Sequence, residues 1–358
     1  MPQSPQRKTP KELGFYMPAE WHPHVATWLT WPTDPETWPD RVEQVERIYL
    51  EMIAALAPHE TVNLLVDDAE TEHAVRSRCN FSRAESVRFH QIPTVDSWMR
   101  DYGPNFLVSR DGSEGAFNDW IFNAWGDKYE ALKQDDRIPR LLEPILRLSR
   151  FEPGIVLEGG AIDVNGNGCV LTTEQCLLNP NRNPQLSRSE IELYLENYLG
   201  VMKVLWLGEG IVGDDTDGHI DDIARFVGPS TIVCAVEDDP EDANYEILQD
   251  NLGRLKSMKD ANDRSFEIVT IPMPGVVGGE STATRDLDRL PASYANFLIA
   301  NNVVLLPVFG HANDARAIET LQRVFRDRHV VPINCEPLVW GMGTIHCLTQ
   351  QQPALIRS

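Results

Sequence analysis

The feature that most constrains this chain is a unit of structure that the sequence repeats. Four times, two short apolar runs separated by a turn signal are followed by a helical pattern and then by another apolar run. In the second copy, Asn165 and Gly166 form the turn signal, and Ser187 and Glu190 open a helix that ends before Gly200. Asn-Gly favours a tight hairpin turn, and Ser-x-x-Glu is a capping box. The order hairpin, helix, strand therefore predicts an α/β chain of repeated units.

The other copies, and an incomplete one at the front, account for most of the remaining chain. Hairpins are also predicted at 105–109 with 115–117, 223–227 with 231–236, and 296–300 with 303–308. Their helices are predicted at 129–148 with an interruption at Pro139, at 241–258, and from Asn313 onward. The strands that close the four units are predicted at 155–157, 201–207, 266–271 and 329–333. At the front, the predicted elements are strands at 24–31, 61–66 and 87–92 with a helix at 42–56. A last strand near Cys347 could complete this front unit.

Nothing in the sequence separates these units into independent domains. No Gly/Ser-rich linker interrupts the pattern, and 358 residues are enough to bury a sizeable core. We therefore predict a single catalytic domain over residues 1–358. The polar, proline-containing start of the chain carries no apolar stretch, so we expect residues 1–15 to be a flexible N-terminal segment.

The charge of the chain limits its partners. With 54 acidic and 32 basic residues, the formal net charge is −22, which argues against nucleic acid because phosphates require basic faces. The same charge favours a small cationic substrate. No apolar run approaches the length of a membrane span, so we expect no membrane partner. Six cysteines without a CxxC pair suit free thiols in the cytoplasm.

Polar side chains occupy the same place in successive units, between one strand and the next hairpin. Asp101, Glu158 and His219 follow one another at intervals of about 60 residues, and Cys347 follows after about twice that interval. Asp221 lies two residues beyond His219. If the units are arranged radially, equivalent positions face one axis. Two acids, a His-x-Asp pair and a thiol should then meet at one point.

This combination indicates chemistry on a cation. A thiol beside a histidine is typical of nucleophilic catalysis, because an imidazolium stabilises the reactive thiolate. Carboxylates would oppose an acyl-transfer oxyanion, but they match a guanidinium, which is planar and rich in N–H donors. We expect Asp101, Asp221 and Glu158 to hold such a group. Cys347 would then attack its carbon while His219 transfers protons.

Alternative interpretations of these residues stay open. Metal ligation is one, with the potential ligands His219, Asp221, His346 and Cys347. The chain has no HExxH or CxxC pattern, however, so we predict neither a metal nor another cofactor. Arg182 is compatible with a loop ion pair or with a substrate contact, and Trp98 with core packing or with an aromatic wall of the site. A non-catalytic protein that binds guanidines or polyamines is the alternative outside enzymes.

Several motifs together resemble the agmatine deiminase family. This family lies among the guanidine-modifying enzymes, which include the bacterial-type peptidylarginine deiminases. The resemblance covers nearly the whole chain, and the combination of motifs is highly specific. The motifs are Met17 to Pro32, Trp98-Met99-Arg100-Asp101, Glu158-Gly159-Gly160, Asn179 to Pro184, Thr216 to Asp221, Ala224-Arg225-Phe226, Ile345-His346-Cys347 and Thr349-Gln350-Gln351.

The resemblance implies a five-bladed α/β propeller, the pentein fold, with pseudo-fivefold symmetry. By the same match, Cys347 is the nucleophile, His219 the acid and base, Asp101 and Asp221 the clamps for the guanidinium, and Glu158 a further acidic partner. It implies metal-free hydrolysis of agmatine to N-carbamoylputrescine and ammonia, a step toward putrescine, through a covalent amidino-cysteine intermediate. Members of this type are often homo-oligomers.

The nucleophile loop departs from the family pattern. Family members usually carry three glycines and an asparagine before Ile-His-Cys, whereas Met342 and Thr344 interrupt that run here. This departure bears on substrate choice more than on the chemistry. Arginine or a peptidyl-arginine end is the alternative substrate, and Trp98 and Arg182 are the further candidates for substrate contacts.

Overall fold

The computed structural model describes residues 8–278 and 289–356. The strands are β1 (Phe15–Tyr16), β2 (His24–Thr30), β3 (Thr61–Val66), β4 (Val87–Gln91), β5 (Asn105–Ser109), β6 (Gly115–Asn118), β7 (Ser149–Phe151), β8 (Asp163–Val164), β9 (Cys169–Thr173), β10 (Lys203–Leu207), β11 (Ala224–Gly228), β12 (Thr231–Val236), β13 (Glu267–Pro272), β14 (Leu298–Ala300), β15 (Val303–Val308), β16 (His329–Asn334) and β17 (Gln350–Pro353).

The helices lie between these strands. They are α1 (Val42–Leu56), α2 (Ala69–Arg78), α3 (Met99–Tyr102), α4 (Ala124–Asp127), α5 (Ile138–Leu146), α6 (Glu174–Leu177), α7 (Arg188–Leu199), α8 (Tyr245–Ser257) and α9 (Asp314–Val324). Segments of 3₁₀ helix cover Lys11–Leu13, Ala84–Ser86, Glu130–Arg137, Gly159–Ala161, Ile220–Asp222 and Val339–Gly341. None of the described helices is both long enough and apolar enough to cross a membrane.

Within the described residues the strands form five mixed sheets, and each sheet combines an antiparallel pair with a parallel partner. In the sheet β11-β12-β13, an antiparallel hairpin places Ala224 opposite Cys234, and β13 then joins in parallel with Val269 beside Val233. The other sheets have the orders β1-β5-β6-β7, β10-β9-β8, β14-β15-β16 and β17-β2-β3-β4. A parallel partner requires a crossover, which a helix supplies in each unit. The α/β class and the repeated order of hairpin, helix and strand are confirmed.

The two ends of the chain meet in one sheet. β17 pairs in antiparallel fashion with β2, with Gln350 opposite Trp28, and the indole of Trp28 donates a 2.9 Å hydrogen bond to Gln352. The last strand therefore completes the unit at the front of the chain, as the sequence predicted. Cys347 lies three residues before β17, so its loop is held by both ends of the chain.

Helix faces follow the predicted periodicity. The apolar face of α1 is buried and packs against β3, β15 and β16; its residues are Val45, Ile48, Tyr49, Met52, Ile53 and Leu56. At the start of α7, the Ser187 side chain accepts from the Glu190 backbone while the Glu190 side chain accepts from the Ser187 backbone. The helix ends at Gly200, whose φ of 68° is the left-handed conformation that glycine favours. Burial thus holds α1 between two sheets, whereas the capping box and Gly200 define the two ends of α7.

The expected flexibility of residues 1–15 is wrong for the part that the structure describes. Residues 1–7 lie outside the described residues, but Lys11–Leu13 forms a 3₁₀ turn and Phe15 pairs with Ser109 as part of β1. Phe15 is buried in a hydrophobic cluster around α7. Burial of this aromatic ring holds the segment in place.

Two elements of the first complete unit also differ from prediction. The strand lies at Ser149–Phe151 rather than at 155–157, because the chain leaves α5 at once and pairs with β6. Val156 forms only a single bridge to Ile121. The helix predicted over 129–148 is a 3₁₀ segment followed by α5, with Pro139 in the first turn of α5, where a missing N–H has little cost.

Candidate active site

Side chains from different units meet in the loops that precede the hairpins. Asp101 lies in α3 before β5, Glu158 before β8, His219 before β11, and Cys347 before β17. Nδ1 of His219 is 3.8 Å from Oδ1 of Asp101, and Sγ of Cys347 is 3.7 Å from Oδ2 of Asp221. All five side chains are buried. The convergence that the spacing predicted is therefore present.

A close backbone approach fixes the pair of Asp101 and His219. The Gly160 N–H donates a 2.9 Å hydrogen bond to Oδ1 of Asp101, and the Trp125 indole donates a 2.9 Å bond to Oδ2. A Cβ on Gly160 would lie 2.5 Å from Nδ1 of His219 and 2.8 Å from Oδ1 of Asp101. Only glycine fits at this position, which explains the Glu-Gly-Gly sequence physically.

The His219 imidazole is held in its charged form. Burial alone would lower its pKa, but the Asp101 carboxylate, the Cys176 sulfur and the Glu158 carboxylate raise the pKa of His219 well above its ordinary value. Both ring nitrogens are buried without a hydrogen-bond partner among the described residues. The imidazolium can therefore give a proton to a group that enters the site.

The Cys347 thiol lies in an environment that opposes its ionisation. Burial raises the pKa of Cys347 well above its ordinary value, and the carboxylates of Asp221, Asp222 and Asp101 raise it further. The side-chain amide of Asn296 donates a 3.1 Å hydrogen bond to Sγ. A cation placed beside the sulfur would offset the carboxylates and favour the thiolate.

His346 connects the nucleophile loop to a buried ionic network. Its Nδ1 lies 2.7 Å from Oδ2 of Asp221, and its Nε2 lies 2.8 Å from Oε2 of Glu20. Glu20 also accepts from Arg225, whose guanidinium pairs with Asp163. Although burial opposes ionisation, the hydrogen bond and charge of His346 lower the pKa of Asp221 below its ordinary value. Asp221 is therefore held as a carboxylate.

The predicted substrate contact of Arg182 is wrong. Its buried guanidinium donates to Glu158 at 2.6 Å, to Asp217 at 2.7 Å, and to the backbone oxygen of Thr216 at 2.8 Å. Every nitrogen of the guanidinium thus has a protein partner, and Arg182 does not line the cavity described below. The ion-pair alternative is confirmed. Arg182 fixes Glu158, whose other oxygen, Oε2, is buried without a hydrogen-bond partner in the described part of the chain.

A cavity of about 660 Å³ leads to the site. Asp101 and Cys347 line it, whereas His219, Asp221 and Glu158 are buried and are not among its lining residues. This volume lies within the usual range for small-molecule sites.

Tryptophans form the inner wall of this cavity. The rings of Trp98 and Trp125 line it, and their centroids are 6.4 Å apart. The Trp98 indole donates a 2.8 Å hydrogen bond to Asp96, which fixes the ring. Trp98 therefore meets both alternatives in position: it belongs to the hydrophobic core cluster, and it lines the cavity beside Met342 and Gly343 of the nucleophile loop. Its contact with substrate stays a prediction.

Among the residues that the structure describes, two groups could hold a metal ion. Asp221, Asp222 and Cys347 form one, and Glu158, Cys176 and His219 form the other, with the ligand atoms of each within 4.8 Å of one another. Several of these oxygens already have other partners: Asp221 accepts from His346, and Glu158 from Arg182. The arrangement of these side chains matches a cationic organic group at least as well as it matches a metal ion.

Comparison with known proteins gives the same picture. The sequence model of the Porphyromonas-type peptidyl-arginine deiminase family matches residues 16–353. The chain belongs to this family. An agmatine deiminase of Ectopseudomonas mendocina is 39% identical over 363 residues, covering 97% of each chain. The solved agmatine deiminase of Enterococcus faecalis superposes with a TM-score of 0.91 at 35% identity, covering 99% of this chain and 100% of that one. The resemblance noted in the sequence is confirmed.

The shared fold reaches beyond the deiminases. A solved amidinotransferase from Microseira wollei superposes with a TM-score of 0.52 at 12% identity, which indicates a common α/β architecture and nothing about the reaction. Within the peptidyl-arginine deiminase family, by contrast, the similarity of this chain extends over the whole site, from Glu20 to Cys347.

Three residues of the site escaped the sequence analysis. Glu20 and Trp125 contact the charged groups, and Asn296 contacts the sulfur. Asn296 had a usable signal: it precedes β14, so it occupies in the fourth unit the place that His219 occupies in the third. The sequence analysis assigned no residue to this place in the fourth unit, because the interval between His219 and Cys347 spans two repeats. Trp125 gave no such signal, because it reaches Asp101 from a stretch of left-handed backbone with φ of 55°.

Replacing Asp101 by Asn should lower the pKa of His219. In the wild-type protein the Asp101 carboxylate raises that pKa against the effect of burial, so imidazolium persists to high pH. Without the carboxylate we expect the pKa to fall by at least about one unit. NMR titration of the His219 imidazole, identified by its loss in His219→Asn, measures the shift.

The matched control for this titration is Asp111→Asn. Asp111 lies in the exposed turn after β5, and its carboxylate bonds to Ser109 and Ser113. This variant should leave the His219 titration unchanged. Equal midpoints in the wild type and Asp101→Asn would contradict the electrostatic account.

Proposed function

We propose that this protein is an agmatine deiminase, which hydrolyses the guanidinium of agmatine to N-carbamoylputrescine and ammonia. The observation that carries the proposal is the buried cluster in which the Cys347 sulfur lies 3.7 Å from Asp221 and the His219 imidazole lies 3.8 Å from Asp101. Relatives named agmatine deiminase at 39% identity over nearly the entire chain support the same substrate. The reaction is a step toward putrescine.

The proposed architecture is a single catalytic domain built as a five-bladed α/β propeller with pseudo-fivefold symmetry. Five mixed sheets of like connectivity, and the pairing of β17 with β2 that closes the chain on itself, support this arrangement. Six free thiols support a cytoplasmic location, where cysteines stay reduced. We also propose a homo-oligomer, on the family resemblance alone.

The guanidinium of the substrate would bind between buried carboxylates. Oδ1 of Asp221 is buried without a hydrogen-bond partner among the described residues, and Asp101 lines the cavity beside Cys347. Burial raises the pKa of Asp101, so a nearby cation stabilises its ionised form. A planar cation with N–H donors on two edges satisfies both carboxylates and presents its carbon to the sulfur.

In the first step, the Cys347 thiol releases its proton to solvent as the guanidinium binds, and the thiolate forms a bond to the guanidinium carbon. The arriving positive charge offsets Asp101 and Asp221, which otherwise hold the sulfur in its protonated form. His219 donates its proton to the departing nitrogen, the C–N bond breaks, and ammonia leaves. The amidino group then remains on the sulfur as a positively charged thioether, still held by the carboxylates.

In the second step, water replaces the sulfur. His219, now neutral, accepts a proton from water as the oxygen bonds to the amidino carbon. The C–S bond then breaks, the remaining hydroxyl proton of the intermediate passes to the departing sulfur, N-carbamoylputrescine forms, and the Cys347 thiol is restored. One histidine thus acts first as an acid and then as a base. The raised pKa of His219 favours the first role at neutral pH.

The mouth of the cavity favours agmatine over arginine. The acidic residues lining it include Asp34, Glu36, Glu130 and Asp215. Among the described lining residues the one cation is Lys128, which pairs with Asp215 at 3.5 Å and with Asp217 at 3.0 Å. Arg225, like Arg182, is buried away from the cavity. An α-carboxylate would therefore meet like charge, whereas the distal ammonium of agmatine meets opposite charge.

The decisive experiment compares ammonia release from agmatine, arginine and a blocked arginine peptide. We expect kcat/KM for agmatine to exceed the value for arginine at least about tenfold, since like-charge contact costs several kcal/mol. It should also exceed the value for the blocked peptide, which lacks the distal ammonium that the acidic lining attracts. A preference for arginine or for the peptide would reject the agmatine assignment.

The same assay separates an enzyme from a guanidine-binding protein. Cys347→Ser should reduce ammonia release to below about a thousandth of the wild-type rate. Cys79→Ser, at a half-buried thiol after α2, serves as the matched control and should retain activity. A wild-type protein that binds agmatine without releasing ammonia would instead be a non-catalytic binder.

Replacing Gly160 by Ala should abolish turnover without unfolding the protein. The new methyl group would push His219 and Asp101 apart, and misplacement of about 1 Å can cost about 100-fold in rate. Gly253→Ala in α8, where a Cβ meets nothing within 4 Å, is the matched control. We expect kcat/KM to fall at least about 100-fold in the first variant only. Near-wild-type activity of Gly160→Ala would count against this geometry.

A further inference from the structure

The backbone that leads into the nucleophile loop is packed against two indole rings. A Cβ on Gly341 would collide with the indole nitrogen of Trp38, and a Cβ on Gly343 would lie 2.6 Å from Cζ3 of Trp98. The centroids of these two rings are 5.6 Å apart. Side chains are therefore excluded at positions 341 and 343 by lack of space.

Met342, between these two glycines, has a backbone conformation that glycine adopts more easily. Its φ of 75° is left-handed, and its N–H donates a 2.9 Å hydrogen bond to the Val339 oxygen at the end of the 3₁₀ segment Val339–Gly341. In this conformation the Cβ of an L-residue is crowded by the following carbonyl oxygen, whereas glycine has no Cβ. The chain thus carries a methionine here in spite of a local backbone cost.

The same combination occurs at one further residue of the cavity. Among the described non-glycine residues with positive φ, Met342 and Trp125 are the two with large apolar side chains, and both line the cavity. Strained backbone of this kind clusters at functional sites. Trp125 has such a function, because its indole bonds to Asp101. A function for Met342 has to be apolar, since a thioether is only a weak acceptor.

We propose that Met342 is a specificity-determining residue whose side chain covers the aliphatic chain of the guanidine substrate. This inference rests on the proposed function, and it names the part of the substrate that Met342 recognises. The carboxylates of the site bind a guanidinium whatever chain it carries. An apolar side chain, in contrast, stabilises each methylene group that leaves water.

The lining of the cavity supports this assignment. Its described apolar side chains are Val95, Trp98, Trp125, Ala131, Leu132 and Met342. Met342 is half-buried, and it is followed by Gly343, where an added Cβ would lie 3.1 Å from Cβ of Cys347. A chain that leaves a guanidinium carbon held at the sulfur therefore begins within reach of Met342. Because the methionine side chain is unbranched and flexible, it can follow an extended chain of methylenes.

The test compares two guanidines that share a head group and differ only in the alkyl chain. Dissociation constants of methylguanidine and butylguanidine are measured by titration calorimetry in the Cys347→Ser variant, where turnover does not consume the ligand. Each buried methylene strengthens binding about fourfold, so butylguanidine should bind at least about tenfold more tightly. Adding Met342→Gly should reduce this ratio at least about threefold, with methylguanidine binding unchanged. Met342→Leu keeps an apolar side chain and should retain the ratio.

Arg147→Gly is the matched control for the change in backbone. Arg147 is exposed, has a left-handed φ of 56° at the end of α5, and does not line the cavity. Its replacement by glycine should leave the ratio of the two dissociation constants unchanged.

An unchanged ratio in Met342→Gly overturns the proposal, as does an unchanged ratio in Met342→Asn if the glycine variant does not fold. Equal weakening of both guanidines also overturns it, because Met342 would then act on the head group or on the loop. Binding of neither guanidine to Cys347→Ser would reject the proposed function itself and this inference with it. The ratio requires no turnover, so failure of agmatine hydrolysis would leave it readable.

Discussion

The site depends on the burial of several carboxylates around one thiol. Asp101, Glu158, Asp221 and Asp222 are all removed from water, where an isolated carboxylate is strongly disfavoured. Each of the first three has a partner: the Gly160 backbone and Trp125, the Arg182 guanidinium, and the His346 imidazole, respectively. The remaining negative charge is what a guanidinium would neutralise. Neutralisation of these carboxylates by the guanidinium would therefore bind the substrate and at the same time favour the Cys347 thiolate.

The fold supplies this concentration of charge through repetition. In each unit a loop connects the end of a strand to the next hairpin. A polar side chain in this loop can reach the common centre. Glu20 and His346, which lie near opposite ends of the chain, are within 2.8 Å of each other. The pairing of β17 with β2 joins both ends of the chain, so the nucleophile loop and the Glu20 loop are fixed together.

The sequence predicted most of this arrangement because the signals were periodic and local. Hairpins, the capping box at Ser187 and the convergence of Asp101 with Cys347 all follow from spacing and turn chemistry. The strand at Ser149–Phe151 was missed because its residues are polar or half-buried and only pairing with β6 makes it a strand. The partner of Arg182 was ambiguous for a related reason: the sequence contains the charge but not the direction of the side chain.

The central claim is that sulfur forms a covalent bond to the guanidinium carbon while carboxylates hold the cation. The most direct measurement is acid quenching of the protein during turnover of agmatine, followed by mass mapping of the peptides that contain cysteine. The account predicts a transient amidino adduct on Cys347, equal in mass to agmatine less ammonia, that appears and decays with turnover. Continued turnover with no adduct on Cys347, or with the adduct on Cys176 beside His219, would contradict it.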